Sequence, residues 1–315
     1  MYCLEREDYL VSICIPTYNH CEYLQKSLES LVHQDEFHQG LVEIVICDNR
    51  STDDTQRMVG QYVKSYDNVR YHCNTENLGI VLNPKIATGL GKGILLKLCG
   101  DDYIYDKDAL SLFCHYAKKY CYEKPQLYFS NGTPEGNNFS GLRRVNFEYF
   151  VYSASYWMTW LGTYAIWRTD LDKYYNENIG IDKKCWQVGL YLDVMNEKDR
   201  GVIIGNHFAE RAKLEKKNVN YDLYQVFYVN FLSMLQPFFE GGRLSKTCID
   251  WVKRDLLLNF FPYWVAGQEL GIKGYSFYSK SLKEEVETKC QEEACYDIYQ
   301  RNYQRELERL KTELP

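Results

Sequence analysis

The chain has 315 residues, 45% hydrophobic and 25% charged, a globular composition that can bury one large domain and a smaller appendage. A formal net charge of −6 argues against a nucleic-acid partner, because phosphate backbones are gripped by basic faces. No apolar run approaches the roughly eighteen residues that a membrane-spanning helix needs.

The first ten residues, MYCLEREDYL, carry too many charges for the apolar core of a secretory leader. The chain has twelve cysteines and no CxxC pair, and Cys14, Cys47 and Cys99 sit inside apolar, strand-like runs. They read as reduced, buried thiols of a cytoplasmic protein rather than as a disulfide framework.

In chain order, residues 10–16 (LVSICIP) form a short, β-branched strand. Leu24, Leu28 and Leu31 follow at helical spacing. Residues 42–47 (VEIVIC) are a second strand, and Ser51 or Thr52 caps a helix carrying Met58, Val59 and Tyr62. Residues 69–73 are a third strand, 79–90 a helix, and 94–99 (ILLKLC) a fourth strand that stops at Gly100, Asp101 and Asp102. Near-continuous apolar strands separated by helices predict a mainly parallel sheet covered on both faces, with ligands bound beyond the carboxyl ends of its strands.

The middle is less regular, with strands expected at 126–130, 163–168 and 201–205 and a helix over 184–195. Beyond residue 212 the pattern is helical, which divides the chain into 1–212 and a C-terminal extension, 213–315. Runs 221–239 and 249–266 are aromatic-rich helices, and 281–314 reads as one charged helix. For the aromatic runs two readings stand: a packed core within the extension or against a second subunit, and peripheral contact with the inner membrane face. The charged helix is solvated or dimer-forming.

Chemistry concentrates where strands end. Three of the first four strands stop in acids or amides: Thr17, Tyr18 and Asn19; Asp48 and Asn49; Asp101 and Asp102. Such residues also serve turns and caps, but their recurrence at strand ends points to one binding edge. Adjacent carboxylates repel unless a cation is near. Asp101 and Asp102 are therefore a seat for Mg²⁺ or Mn²⁺, and such an ion can neutralise a diphosphate.

The succession SICIPTYN, EIVICDNRSTDDT, ENLGIVLN and LKLCGDDYI resembles the motifs of family-2 glycosyltransferases of the GT-A fold over roughly the first 110 residues. The Gly-Asp-Asp variant, with Asn83 shortly after Asn77 and Gly79, resembles bacterial enzymes that decorate O-antigen and capsule sugars. The resemblance implies an α/β GT-A nucleotide-binding domain and a sugar moved from a nucleotide diphosphate, a UDP-sugar first, to a saccharide or lipid-linked glycan. It implies inversion at the anomeric carbon and dependence on a divalent metal. Pro16, Thr17, Tyr18 and Asn19 would line the nucleoside pocket, with Asp48 accepting from a base imide. Asn77, Gly79 and Asn83 would border the ribose and phosphates. Asp101, with Asp102, would hold the metal, and His207, after the last strand, is a further ligand candidate. Many members carry an aspartate where this chain has Cys99, a poor partner for either ion.

An inverting transferase needs a carboxylate to take the acceptor's proton. The stretch NIGIDKKCWQVGLYLDVM lacks the family's usual Glu-Asp pair. Asp182 is the candidate by position, with a helix N-cap as its structural alternative, and Asp193 comes second. Gly162 and Thr163, before a strand, are candidates to face the acceptor. A noncatalytic nucleotide- or glycan-binding module is the competing function, motivated by Cys99 and the missing pair. A nucleotidyltransferase would need a Gly-rich basic loop after the first strand, and PTYNHCEYL has none.

Overall fold

The apolar runs of the first half become strands covered on both faces. The computed structural model describes residues 9–132, 141–175, 178, 180–212, 221–272 and 282–313. Contacts divide the chain into two units, 1–147 with 157–212 and 148–156 with 213–315.

In the first unit β1 (Val11–Thr17), α1 (Cys21–Val32), the short α2 (Asp35–His38), β2 (Val42–Asp48), α3 (Thr55–Ser65), β3 (Val69–Cys73), α4 (Gly79–Leu90) and β4 (Leu95–Leu98) alternate. Then come β5 (Tyr103–Tyr105), α5 (Ala109–Tyr120), β6 (Gln126–Phe129) and β7 (Leu142–Val145), followed by α6 (Phe147–Ala154), all but the first residue of which belongs to the second unit. β8 (Ala165–Trp167), α7 (Arg168–Tyr174), α8 (Trp186–Lys198), β9 (Gly201–Ile204) and β10 (Ala209–Arg211) complete this part of the chain.

The main sheet has the order β3-β2-β1-β4-β8. Its first four strands are parallel, and β8 runs antiparallel to β4. A strand expected at 163–168 is thus present but reversed, so the sheet is mixed at one edge. β6, β9 and β7 form a second small sheet, and β5 pairs with β10. Leu24, Leu28 and Leu31 of α1 are wholly buried against the sheet core, each worth about 1.5–3 kcal/mol of transfer free energy. Neither Ser51 nor Thr52 caps α3, whose N-cap is Asp54. Ser51 is committed to Asp48 instead.

Two charged side chains lie inside the sheet with no exposure, and both are satisfied. Glu43 accepts from Ser12 Oγ at 2.6 Å, from Arg70 Nη1 at 3.0 Å and from the Lys92 amide. Lys97 donates to the carbonyls of Gly162 and Leu98, and its ammonium lies 4.9–5.6 Å from the rings of Phe208, Phe113 and Phe129. Burial holds the Lys97 amine below its ordinary pKa.

The second unit is helical. Its aromatic runs are not continuous α-helices: π-helical turns at Gln225–Asn230 and Leu256–Phe260 interrupt them. α9 (Phe231–Glu240), α10 (Lys246–Asp255) and α11 (Phe261–Glu269) flank those turns. Phe231 and Phe261 are fully buried, and Phe227 and Phe260 meet at 4.7 Å. The charged run expected as one helix is two, α12 (Leu282–Glu292) and α13 (Tyr296–Glu313). The break falls where Ala294 adopts φ +49° and the Cys295 amide returns to the Cys290 carbonyl. Residues 281 and 314 of that run lie outside the described residues. No described helix is long and apolar enough to cross a membrane, and all eleven described cysteines are free thiols.

Candidate active site

The parallel register brings the polar strand ends together. Thr17 is paired with Asp48, and Asp48 with Cys73. The Cys99 amide bonds to the Cys14 carbonyl, which places Gly100, Asp101 and Asp102 beside the end of β1. Thr17 Oγ1 then donates to Asp101 Oδ2 at 2.7 Å across 84 residues of sequence. His20 Nδ1 stands 3.1 Å from both oxygens of the same carboxylate.

The loops after β1 and β2 are latched to each other. The Asn19 amide donates to Ser51 Oγ at 2.9 Å, and the Thr52 amide to Asn19 Oδ1 at 2.7 Å. Asn19 itself has φ +53°, a left-handed conformation that asparagine tolerates better than most residues. Asp48 is 1% exposed and its carboxylate is consumed internally. It accepts from the Ser51 amide and hydroxyl at 2.8 and 2.6 Å and from the Tyr71 hydroxyl at 2.6 Å. Burial, reinforced by that bond to Asp48, raises the Tyr71 phenol well above its ordinary range. Asp48, expected to meet a base, also holds the turn, with three of its roughly four lone-pair positions filled.

An amide ladder continues from there. Asn49 Nδ2 donates to Asn77 Oδ1 at 2.7 Å, and Asn49 Oδ1 accepts from Asn74 and the Leu78 amide. Asn83 is buried and turns to the strands, donating to the Cys47 and Thr17 carbonyls at 3.2 and 3.4 Å while accepting from Asn74. Asn77 and Asn83 thus hold the edge in shape. Pro16 is half-buried and Tyr18 is exposed. Gly79 has φ +81° with open space where a Cβ would stand, so the chain presents bare backbone there.

The two adjacent acids separate in role. Asp102 Oδ2 takes Arg211 Nε at 2.5 Å. Asp102 is accordingly paired with a cation of the chain, whereas Asp101 is met by Thr17 and His20. His207, expected beside them, lies elsewhere: its Nδ1 is 2.7 Å from Asp106 Oδ2. Cys99 is fully buried in the sheet core, where burial raises its thiol pKa, so it faces away from this edge.

Among the described residues no three His, Cys, Asp or Glu side chains converge on a metal position. The donor set nonetheless fits a hard divalent ion of the kind that takes one or two protein ligands and completes its shell with phosphate and water. Asp101 would supply the carboxylate, which Thr17 Oγ1 orients.

Asp182 lies exposed in the turn before α8. Cys185, not Asp182, is the N-cap of that helix. No hydrogen bond or ion pair ties Asp182 to the strand-end cluster among the described residues. Asp193 is half-buried within α8. Gly162 and Thr163 are turned inward; the Gly162 carbonyl accepts from Lys97, and Thr163 Oγ1 donates to the Trp160 carbonyl at 2.8 Å.

Residues 12–164 match the Glycosyl transferase family 2 profile. The chain carries a family 2 glycosyltransferase domain. Over 108 residues it is 37% identical to an abequosyltransferase, RfbV, of Salmonella typhimurium, covering 34% of this chain and 32% of that one. It is 33% identical to a chondroitin synthase of Escherichia coli over 103 residues, 33% of this chain and 14% of the synthase. The chain spans about a third of the length of the first of these relatives. Among solved structures, S. aureus TarS (residues 1–349) in complex with UDP-GlcNAc superposes with a TM-score of 0.55 at 17% identity, covering 96% of this chain and 92% of that one. A Pyrobaculum calidifontis mannosyltransferase in complex with GDP-Man and Mn²⁺ gives 0.53 at 14%, over 98% and 90%. These two likenesses establish the GT-A fold of the chain.

Sequence reasoning passed over His20, Tyr71, Asn74 and Arg211. Tyr71 was in reach, since β3 pairs with the strand that ends at Asp48. His20 and Arg211 meet their partners 81 and 109 residues away, and no local pattern signals that.

Proposed function

We propose that the protein transfers a sugar from a nucleoside diphosphate, a UDP-sugar first, to a saccharide or lipid-linked glycan acceptor in surface polysaccharide synthesis. The observation that carries this reading is the convergence of Thr17, His20 and Asp101 beside the latched turn of Asp48, Asn49 and Ser51 at the carboxyl edge of a parallel sheet. Ligands of such sheets bind at that edge. The complexes of the two structurally similar proteins, with UDP-GlcNAc and with GDP-Man and Mn²⁺, support the donor class.

In this reading Tyr18 and Pro16 offer apolar surface to the base, and the open backbone at Gly79 admits the ribose or a phosphate. When bound, a divalent ion neutralises charge on the diphosphate leaving group. Asp101 would hold that ion, and Arg211, paired to Asp102 and largely exposed, adds positive charge nearby. The acceptor oxygen bonds to the anomeric carbon as the carbon–phosphate-oxygen bond breaks, and the acceptor's proton passes to a carboxylate. Asp182, exposed ahead of α8, is the proposed base.

The test is release of nucleoside diphosphate from a panel of UDP-, GDP- and dTDP-sugars, with and without Mn²⁺. Turnover of one donor is expected. Asp182→Asn should lower transfer to acceptor about 100-fold or more while leaving donor affinity within twofold. A protein that binds nucleoside diphosphate yet releases it from no donor would favour the noncatalytic module.

A further inference from the structure

We propose that the first unit docks on an anionic phospholipid surface through Lys118, Lys119, Tyr122, Lys124, Arg144 and Arg200. The inference stands apart from the nucleotide-sugar reading, since none of these residues belongs to the strand-end cluster. A chain of net charge −6 has no overall attraction to an anionic surface, so any attraction must come from a local patch.

The fold gathers these residues from three stretches of one unit. Lys118 and Lys119 lie in the last turn of α5, and Tyr122 and Lys124 follow before β6. The Lys119 ammonium and the Arg144 guanidinium lie 5.3 and 5.9 Å from the Tyr120 ring, which joins β7 to the end of α5. Arg144 also lines one small depression with Glu123, Pro125 and Arg200. The Gln126 amide donates to the Arg200 carbonyl at 3.0 Å, and Lys198 Nζ to the Lys124 carbonyl at 2.7 Å. The cations therefore collect where β6 and β9 begin and β7 ends.

Little negative charge offsets them. Lys118, Lys119, Arg144 and Arg200 are exposed and Lys124 is half-buried. Glu123 faces Arg144 at 3.9 Å with both side chains largely in water, a pairing that contributes little. Asp199 turns one oxygen to the Phe147 amide at 3.0 Å. Asp170 is held by Lys198 at 2.5 Å, and Glu197 by Lys173 and Tyr174. Around the patch the cations thus outnumber Glu123 and Asp199.

The ring among these charges selects the partner. Tyr122 is 73% exposed, more than Ile80 at 64% or Trp251 at 39%. A tyrosine suits the headgroup layer of a bilayer, where its ring meets apolar surface and its hydroxyl stays wet. Lysine and arginine stems reach outward to place their charge among lipid phosphates, and several such cations near an anionic leaflet add their attractions. The twelve residues of α5 span about 18 Å, from the neighbourhood of the β5–β10 pair to the patch. Docking there leaves the strand-end cleft uncovered.

The experiment sediments the full chain with vesicles of phosphatidylcholine, alone or with about one-third phosphatidylglycerol. Wild type should partition about tenfold more strongly to the anionic vesicles, and about 0.5 M NaCl should abolish the difference. Neither measurement needs a variant. Combined Lys119→Glu, Arg144→Glu and Arg200→Glu should lower anionic binding about tenfold, and Tyr122→Ala about threefold. Equal partition to the two vesicles, or full anionic binding by the triple variant, overturns the proposal. So does tighter binding to inorganic polyphosphate than to anionic vesicles at equal phosphate concentration, which would make the patch a site for soluble polyanions. No nucleotide enters the assay, so its failure leaves the donor reading untouched.

Discussion

The two ends of the same parallel sheet carry similar residues and use them differently. At the amino ends, Ser12, Glu43 and Arg70 close into a knot with the Lys92 and Gly93 amides, and Glu43 has no exposure. Gly93 packs so closely that a Cβ would stand 2.7 Å from the Ser12 amide. At the carboxyl ends, Asp101 and His20 make contacts that leave one side open to solvent. Each carboxylate has three contacts from within, but Glu43 has no exposure, whereas the Asp101 side chain keeps 12%. A buried charge closed off from solvent can only stabilise; one that keeps some exposure can meet an outside partner.

The comparison is broken most directly by exchanging outcomes between the two ends. Asp101→Ala should reduce nucleotide-sugar turnover about 1000-fold and shift the unfolding midpoint by less than about 3 °C. Undiminished turnover would remove Asp101 from the site. At the opposite end, Glu43→Gln removes the buried negative charge beside Arg70 and turns one of the two acceptor oxygens into a donor. It should cost about 3 kcal/mol in denaturant unfolding, with donor affinity per folded molecule unchanged. A Glu43→Gln protein as stable as wild type would contradict the knot.

Tyr71→Phe tests the intermediate case, a residue that supports the site without facing it. Removing its bond to Asp48 should cost about 1 kcal/mol of stability and weaken UDP binding roughly fivefold, measured by calorimetry. A larger loss of binding with no loss of stability would mean that Tyr71 touches the ligand. The smallest effect concerns Cys47, one residue before Asp48. Burial pushes its thiol up to about 12, so it stays protonated at pH 8 and gains thiolate only as pH climbs toward that value. Iodoacetamide at pH 8 should leave Cys47 unmodified in the native protein and label it after denaturation, read by peptide mass mapping. Rapid native labelling would mean that the carboxyl end of β2 is wetter than described.

Much of the first unit was legible because its signals are local. β3 and α4 fall at the residues expected, since apolar runs and the Gly79 start are properties of short windows. The second unit was less so. π-helical turns at 225–230 and 256–260 and the break at Ala294 are changes of backbone hydrogen-bond register, which window-based periodicity does not detect. The reversed β8 belongs to the same class, because strand direction is set by where the chain returns and not by its composition.

The sequence by itself determined that amides and acids would collect at one edge of an apolar sheet, because the period of the strands places their ends and the motif residues sit there. Only the tertiary structure decided which of those groups are spent. Asp48 accepts from Tyr71 23 residues away, Asp102 from Arg211 across 109, and Asp101 meets His20 across 81. A hydrogen bond is a short-range, directional contact, so its partner is chosen by distance in space, and distance along the chain carries no record of it.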